Sequence, residues 1–324
     1  MKYYFAPLEG LTGYIYRNAH HAFFPEGISK YFSPFIIANQ SDSFKTRDMN
    51  DILPENNQGI TLIPQILTNS AEDFIHTAKK IKQLGYDQIN LNLGCPSGTV
   101  VSKGRGAGFL AKRAELDAFL DNIFSKQVTK ISIKTRIGKD RPEEFQELIA
   151  IYNKYPMEEL IIHPRVQTDY YKNKPNMEAF AAALSQSKSP VCYNGDLFSA
   201  VDCNRFTAGY PGVEKIMLGR GLLMNPGLVQ ELLHNIKLDK NLLRNFHDTI
   251  YEGNARILFG DKNILFKMKD LWNYMILNFS DHAKHAKRIR KAQNVRDYEE
   301  AVSRLFNELD LLENGNISMW KPEP

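Results

Sequence analysis

Residues 88–110 read QINLNLGCPSGTVVSKGRGAGFL. Ile89, Asn90, Leu91, Asn92 and Leu93 alternate apolar and polar, the period of a β-strand, and Gly94-Cys95-Pro96 then breaks the run. Beyond Pro96 the chain is rich in Gly, Ser, Lys and Arg, with no apolar stripe before Phe109 and Leu110. Cys95 is therefore expected at the C-terminal lip of a strand under a mobile cover, which is where barrel enzymes keep reactive groups. A cysteine taken alone is most often a small buried hydrophobe. Here Asn92, Gly94 and Pro96 around it favour the reactive reading.

Working outward, strand-like runs recur at 2–6, 30–37, 60–67, 88–93, 130–136, 159–163, 190–194 and 215–218. The first is ended by Pro7 and leads to a helix start at Leu11-Thr12. Between the runs lie helical spacings, such as Ala71, Phe74, Ile75, Ala78, Ile81 and Leu84 after the N-cap candidates Asn69-Ser70, and Phe145, Leu148, Ile149 and Tyr152 after Pro142. Strands alternating with helices imply a parallel sheet, and eight such units imply a closed (β/α)8 TIM barrel. After about Leu233 the strand signals stop and the pattern is helical, rich in Lys, Arg, Asn and aromatic residues. The expected organisation is a barrel over 1–236 and a C-terminal helical domain over 237–324, ending in a frayed tail at MWKPEP.

Charge alone does not reveal a partner: the net charge is +4 and the pI about 8.7. The clearest basic clusters are KMKDLWNYM at 267–275 and DHAKHAKRIRKAQN at 281–294, where Lys284, Lys287, Arg288, Arg290 and Lys291 are candidates for an anionic partner. A solvated helix face is the plainer account of such a run. Three cysteines without paired spacing argue against a disulfide framework and against a metal site. No apolar run is long enough to span a membrane, so a cytoplasmic protein is expected; it is also expected to be a monomer.

Polar residues collect at the ends of the expected strands: Glu9, Gln65, Asn92 with Cys95, Lys134 with Arg136, His163 with Arg165, Asn194 with Asp196, and Gly219 with Arg220. Each has a structural explanation singly; together they describe a pocket. Asn194-Gly195-Asp196 and Gly219-Arg220 follow the last two strands, where barrels often bind a phosphate on backbone N–H groups and a helix N-terminus. Flavin mononucleotide suits such a pocket, with Gln65 to hydrogen-bond the isoalloxazine and Lys134 as a fixed cation beside the ring system.

NLNLGCPSGTVVSKGRGAGFL, together with APLEGLT, PQIL, KTRIG, IIHPR, NGD and LGRG in that order along nearly the whole chain, resembles the dihydrouridine synthases, flavoenzymes that reduce a uridine in folded RNA. The resemblance implies that Pro7, Leu8, Glu9, Gln65, Lys134, His163, Asn194, Gly195, Asp196, Gly219 and Arg220 hold FMN, and that Cys95 donates a proton. It puts the uracil on Asn92, Arg136 and Tyr171, with Arg165 on the same loop and Lys103 and Arg105 in the basic cover. It implies NADPH as reductant and an RNA-clasping C-terminal domain, with transfer RNA as substrate or, alternatively, ribosomal RNA. The chain departs from the family pattern at Leu8, where Met is frequent, and at Pro164, where Gly is frequent. Two rivals are a flavin barrel reductase of a small pyrimidine or enone, which needs no basic helical domain, and a non-catalytic RNA-binding barrel, which would carry no flavin.

Overall fold

The computed structural model describes residues 1–312; the end of the expected C-terminal domain and the MWKPEP tail lie outside them. Eight parallel strands close a barrel in chain order: β1 (Lys2–Phe5), β2 (Ile28–Ile37), β3 (Leu62–Leu67), β4 (Gln88–Leu93), β5 (Lys130–Gly138), β6 (Leu160–Val166), β7 (Val191–Tyr193) and β8 (Lys215–Leu218). The strands of the TIM barrel fall where the alternation puts them, β4 and β8 to the residue and the others within two residues at the N-terminal end and three at the C-terminal end. β2 is irregular between Phe32 and Phe35, around Pro34, which has no N–H for the ladder.

Helices follow the strands: α1 (Tyr14–Phe23), α2 (Thr46–Ile52), α3 (Ala71–Gln83), α4 (Gly98–Val101), α5 (Arg113–Ser125), α6 (Phe145–Tyr152), α7 (Met177–Gln186), α8 (Ala200–Gly209), α9 (Arg220–Met224) and α10 (Leu228–His234). α3 buries Phe74, Ala78 and Ile81, and its first turn is capped by Ser70, whose Oγ accepts the Asp73 N–H. α1 begins three residues later than Leu11, because Leu11 and Thr12 donate their N–H groups to the Leu8 carbonyl and close a turn first.

After α10 the described chain is mainly helical: α11 (Lys240–Ile257), α12 (Asp261–Met275), α13 (Ala283–Lys291) and α14 (Val295–Glu308). The α10–α11 connection contains Asn235, at φ 56°, and Asp239, whose carboxylate caps α11 by accepting the Leu242 N–H at 2.8 Å. Grouped by proximity, the chain forms two compact units. One comprises Met1–Pro7, Ser29–Asp196 and Tyr210–Met217; the other comprises Leu8–Ile28, Leu197–Gly209 and Leu218–Pro324, described up to residue 312. In the second unit Phe246 packs edge-on against Tyr16 and Phe24. Its core also contains a polar chain: the Trp272 indole N–H donates to Tyr298 Oη at 2.8 Å, and Tyr298 Oη lies 2.6 Å from His247 Nε2. No helix among the described residues is long and apolar enough to cross a membrane.

Both faces of β4 are buried after Gln88. Its apolar residues alternate with Asn90 and Asn92, so the polar face of the strand is enclosed too. Enclosed amides require partners, and those partners organise the site.

Candidate active site

Cys95 stands two residues beyond β4. The Asn92 Oδ1 accepts the N–H groups of Gly94 (3.0 Å) and Cys95 (2.9 Å), which turns the chain at the strand end. The Cys95 carbonyl accepts the Ala107 N–H at 3.0 Å. Between them is Gly106, at φ +55°, where a Cβ would lie 2.8 Å from the Cys95 oxygen, so only glycine fits. The cover expected to be mobile is thus folded as α4 and a 3-10 segment (Gly106–Ala111), with Ala107, Phe109 and Leu110 buried. Cys95 is half-buried, whereas Cys192 and Cys203 are buried. Burial pushes the Cys203 thiol up to about 12, and Cys192 is also raised by burial and then by Glu159. Among the three thiols, Cys95 is the one a substrate can reach.

An amide chain runs inward from that turn. Asn92 Nδ2 donates to Gln65 Oε1 (2.8 Å), Gln65 Nε2 to Asn90 Oδ1 (2.7 Å), and Asn90 Nδ2 to Ser132 Oγ (2.9 Å), which donates to the Ile89 carbonyl. Gln65 and Asn92, expected at flavin and uracil, are therefore also the struts of the cysteine turn. Asn90, Ser132 and Ser33, whose Oγ accepts the Gln65 N–H, are absent from the sequence reading. The alternation through Asn90 was the only available signal, and it identifies no partner.

Lys134 is paired in register with Asn92. It is half-buried and, among the described residues, has no hydrogen-bond or ion-pair partner. Its pKa is lowered to about 8, first by burial and then by the Arg136 charge. Arg136 is 1% exposed. Its Nε donates to the Gly94 carbonyl (3.1 Å), Nη1 to Val166 (2.7 Å) and Nη2 to Tyr170 (2.7 Å), and its guanidinium lies 5.4 Å from the centre of the Tyr171 ring. Arg136 thus clamps the cysteine turn to the loop carrying Tyr171. Tyr170, at φ 50°, is in a conformation rare for a bulky residue, and the Nη2 bond to its carbonyl helps hold it.

Arg165, expected on the substrate loop, is enclosed by protein partners. It is 1% exposed; Nη1 and Nη2 fork onto the Asp196 carboxylate (2.8 and 2.5 Å), and Nε donates to the Asn173 carbonyl (2.5 Å). Nη1 also lies 2.9 Å from His163 Nε2. A guanidinium cannot accept a hydrogen bond, so Nε2 is the acceptor and the ring proton is on Nδ1. The Asp196–Arg165 pair thus abuts His163, whose ring lies 5.9 Å from the Tyr171 ring. Asp196, expected at the flavin, orients Arg165.

At the remaining strand ends, Asn194 is buried and donates from Nδ2 to the Met217 carbonyl at 2.8 Å. Gly195 is demanded by its neighbour: a Cβ there would lie 2.0 Å from Tyr193 Oη. Gly219 caps α9, and the Arg220 guanidinium lies over the Phe198 ring at 5.1 Å. α9 has five residues, too few for the helix dipole expected behind a phosphate to be large. Pro7 and Leu8 are half-buried and Glu9 is exposed; the Leu8 N–H donates to Thr12 Oγ1. Lys103 is exposed, and Arg105 Nε donates to Asn69 Oδ1.

The two basic clusters separate. Lys267 Nζ donates to the Gly10 carbonyl and Lys269 Nζ to that of Ala292, while Leu271, Trp272 and Met275 are core residues, so 267–275 is not a free cationic face. Lys284, Lys287, Arg288 and Lys291 line a cleft of about 480 Å³ with Arg304, Asp297 and Glu300; Arg290 is exposed elsewhere.

A family profile described as Dihydrouridine synthase (Dus) matches residues 4–318. The chain is 26% identical over 238 residues to "Probable tRNA-dihydrouridine synthase 1" of Synechocystis sp., covering 72% of this chain and 64% of that protein. It is 31% identical over 173 residues to "tRNA-dihydrouridine(16) synthase" of Pseudomonas putida, covering 52% and 53%. The matched stretches therefore span about half to two thirds of these relatives. Solved structures share the barrel at low identity. A 2-naphthoyl-CoA reductase complex has a TM-score of 0.54 at 10% identity, covering 72% of this chain and 50% of that one. The old yellow enzyme homologue from Zymomonas mobilis has 0.51 at 10%, covering 76% and 91%. Identities that low establish fold alone, whereas the profile runs through the strand ends described above, and on it the chain belongs to the dihydrouridine synthase family.

Proposed function

We propose that this chain reduces a uridine of folded RNA, transfer RNA as the names of its relatives suggest, to 5,6-dihydrouridine, with FMN as bound cofactor and NADPH as reductant. The observation that carries the reading is Lys134: a half-buried ammonium with no counter-charge paired to it among the described residues, level with Asn92, whose oxygen sets the Cys95 turn. Such a cation suits a group that becomes anionic, as a reduced flavin does. Asn194, Gly195, Asp196, Gly219 and Arg220, with Pro7, Leu8 and Glu9, are the residues we assign to the rest of the cofactor, on the resemblance. NADPH rests on the resemblance alone.

When bound, the reduced flavin supplies a hydride to uracil C6. The charge that then develops on C5 and O4 is quenched by a proton at C5. We assign this proton to Cys95, the reachable thiol, since an ordinary thiol is mostly protonated at neutral pH yet acidic enough to transfer. Tyr171, on the clamp formed by Arg136, borders the base, and a target in an RNA loop is cheap to unstack.

The test is conversion of unmodified transfer RNA, ribosomal RNA and free uracil by purified protein, with flavin released on denaturation. Turnover of free uracil in preference to RNA would replace this reading with that of a small-molecule reductase. Lys134→Met is expected to retain the fold but to make the flavin harder to reduce, by tens of millivolts, about 30 mV corresponding to ~1.4 kcal/mol for two electrons. Because the ammonium titrates near 8, anion binding by the wild-type mouth should weaken as pH rises through that value, and the variant should lose this dependence. An unchanged potential would remove Lys134 from the flavin.

We assign RNA phosphates to the cleft between α13 and α14. Neutralising Lys284, Lys287, Arg288 and Lys291 together should weaken RNA binding and flatten its log-log salt dependence by about 0.7 to 0.9 per lost contact, with flavin content unchanged. No change would move the footprint to Lys103 and Arg105.

A further inference from the structure

The turn that follows β5 is built around one carboxylate. Glu144 Oε1 accepts the N–H groups of Asp140 (2.9 Å) and Arg141 (2.8 Å), and its Oε2 accepts the Lys139 N–H (2.9 Å) and Arg113 Nη2 (2.8 Å). Burial alone would raise the Glu144 pKa; the Lys139 N–H, then Arg113, Asp140 and Arg141, outweigh it and lower it to about 2, so the carboxylate is charged at neutral pH. The fit is close, since a Cβ on Gly138 would lie 2.7 Å from the Arg141 oxygen and 3.0 Å from Glu144 Cβ. Asp140 and Arg141 are themselves exposed, so these bonds fix the turn without burying it.

What the turn holds is the loop after β6. The Lys139 carbonyl accepts the Thr168 N–H at 3.2 Å and Thr168 Oγ1 at 3.4 Å. The same loop is tied to the cysteine turn, Gln167 Nε2 donating to the Pro96 carbonyl at 3.1 Å while Arg136, which also holds Gly94, donates to that of Tyr170. Tyr170 is at φ 50°, and a bulky residue keeps such a conformation only where its surroundings over-determine it. Thr168 lies between these two ties, so the Lys139 carbonyl fixes the loop from the side away from Cys95. We propose that Glu144 is a positioning residue for uridine reduction, acting through the Lys139 carbonyl and Thr168 to set Tyr171 against the base. The proposal rests on the reading that this chain reduces a uridine and that Tyr171 borders it.

The test uses the full chain and an unmodified transfer RNA transcript under single-turnover conditions. Glu144→Gln leaves one oxygen where four donors converge, and is expected to slow uridine reduction by up to about a hundred-fold, the cost of misplacing a group by about 1 Å, with NADPH-dependent flavin reduction unchanged. Glu147→Gln removes another partner of Arg113 (3.3 Å) without touching the turn and should leave both rates at wild-type values. In a Tyr171→Ala background the Glu144→Gln loss should shrink to about two-fold or less, because residues that act as one unit are not additive. A loss undiminished there, or no loss in Glu144→Gln itself, overturns the positioning role. If Glu144→Gln does not fold, Thr168→Val cuts one bond at the other end of the link and must show a loss with the same dependence on Tyr171; a loss independent of Tyr171, or none, overturns the role equally. If wild type does not reduce transfer RNA, the functional reading falls, and the positioning role with it.

Discussion

Cys95→Ala is expected to lower RNA turnover by about 10²- to 10⁴-fold, the usual contribution of a positioned general acid, while flavin content and NADPH-dependent flavin reduction stay at wild-type levels. The split follows from the proposed mechanism, in which the thiol is needed only for the proton at C5. The backbone of the turn is held independently of the side chain, by the N–H of residue 95 to Asn92 and its carbonyl to Ala107. The measurement is dihydrouridine formed per enzyme under single-turnover conditions, beside the rate of flavin bleaching by NADPH. Wild-type turnover in the alanine variant would make Cys95 a structural residue. Asn92→Ala removes the oxygen that accepts both turn N–H groups, and should reduce turnover with Cys95 itself intact.

The second large effect is expected at the opposite end of the barrel. Glu159, just before β6, is 0% exposed. Its carboxylate accepts from Lys30 Nζ (2.8 Å), Tyr4 Oη (2.9 Å) and Lys215 Nζ (3.2 Å), joining β1, β2 and β8 to the start of β6. Burial alone would raise its pKa; the hydrogen bond and charge of Lys30, then Lys215 and Tyr4, outweigh it and hold it below the ordinary carboxylate value. Glu159→Ala would strand two partly exposed ammonium groups, with side chains 22% and 16% accessible, and one buried phenol. Removing one member of a buried pair costs ~3–5 kcal/mol, and the residual solvent access of the lysines puts this site at the lower end. Even so, that is a large part of the ~5–15 kcal/mol that holds a domain together. Since the folded pKa is depressed, the contribution is complete above the unfolded value of about 4.3 and is lost as pH falls through the folded pKa. Urea midpoints of wild type and variant should therefore differ clearly at pH 7 and converge in acid. A difference below ~1 kcal/mol at pH 7 would show that the network is replaceable.

The strands were legible because alternation is a local property of seven or eight residues, and the lips because Gly, Pro and polar residues punctuate each run. NLNLGCPS located Cys95 and its strand together. The same stretch could not reveal that Asn90 and Asn92 face one another's partners through Gln65, because that depends on β3 meeting β4 with Gln65 opposite Asn90. Basic residues were equally legible as charge and illegible as function: Lys267 and Lys269 reach backbone carbonyls, whereas Lys284, Lys287, Arg288 and Lys291 line an open cleft.

By itself, then, the sequence determined the eight-stranded barrel, its family and the lip residues from which a flavin and a uridine could be assigned. Only the tertiary structure decided that Arg165 meets His163 and Asp196, that Arg136 clamps the cysteine turn, that Lys134 has no hydrogen-bond or ion-pair partner among the described residues, and that Glu159 ties the barrel floor. Periodicity is written in neighbours along the chain. The partner of a buried charge is set by strand register and barrel closure, which bring together groups as distant as Tyr4 and Glu159, and only that meeting settles whether a charge is satisfied within the protein or remains available to a ligand.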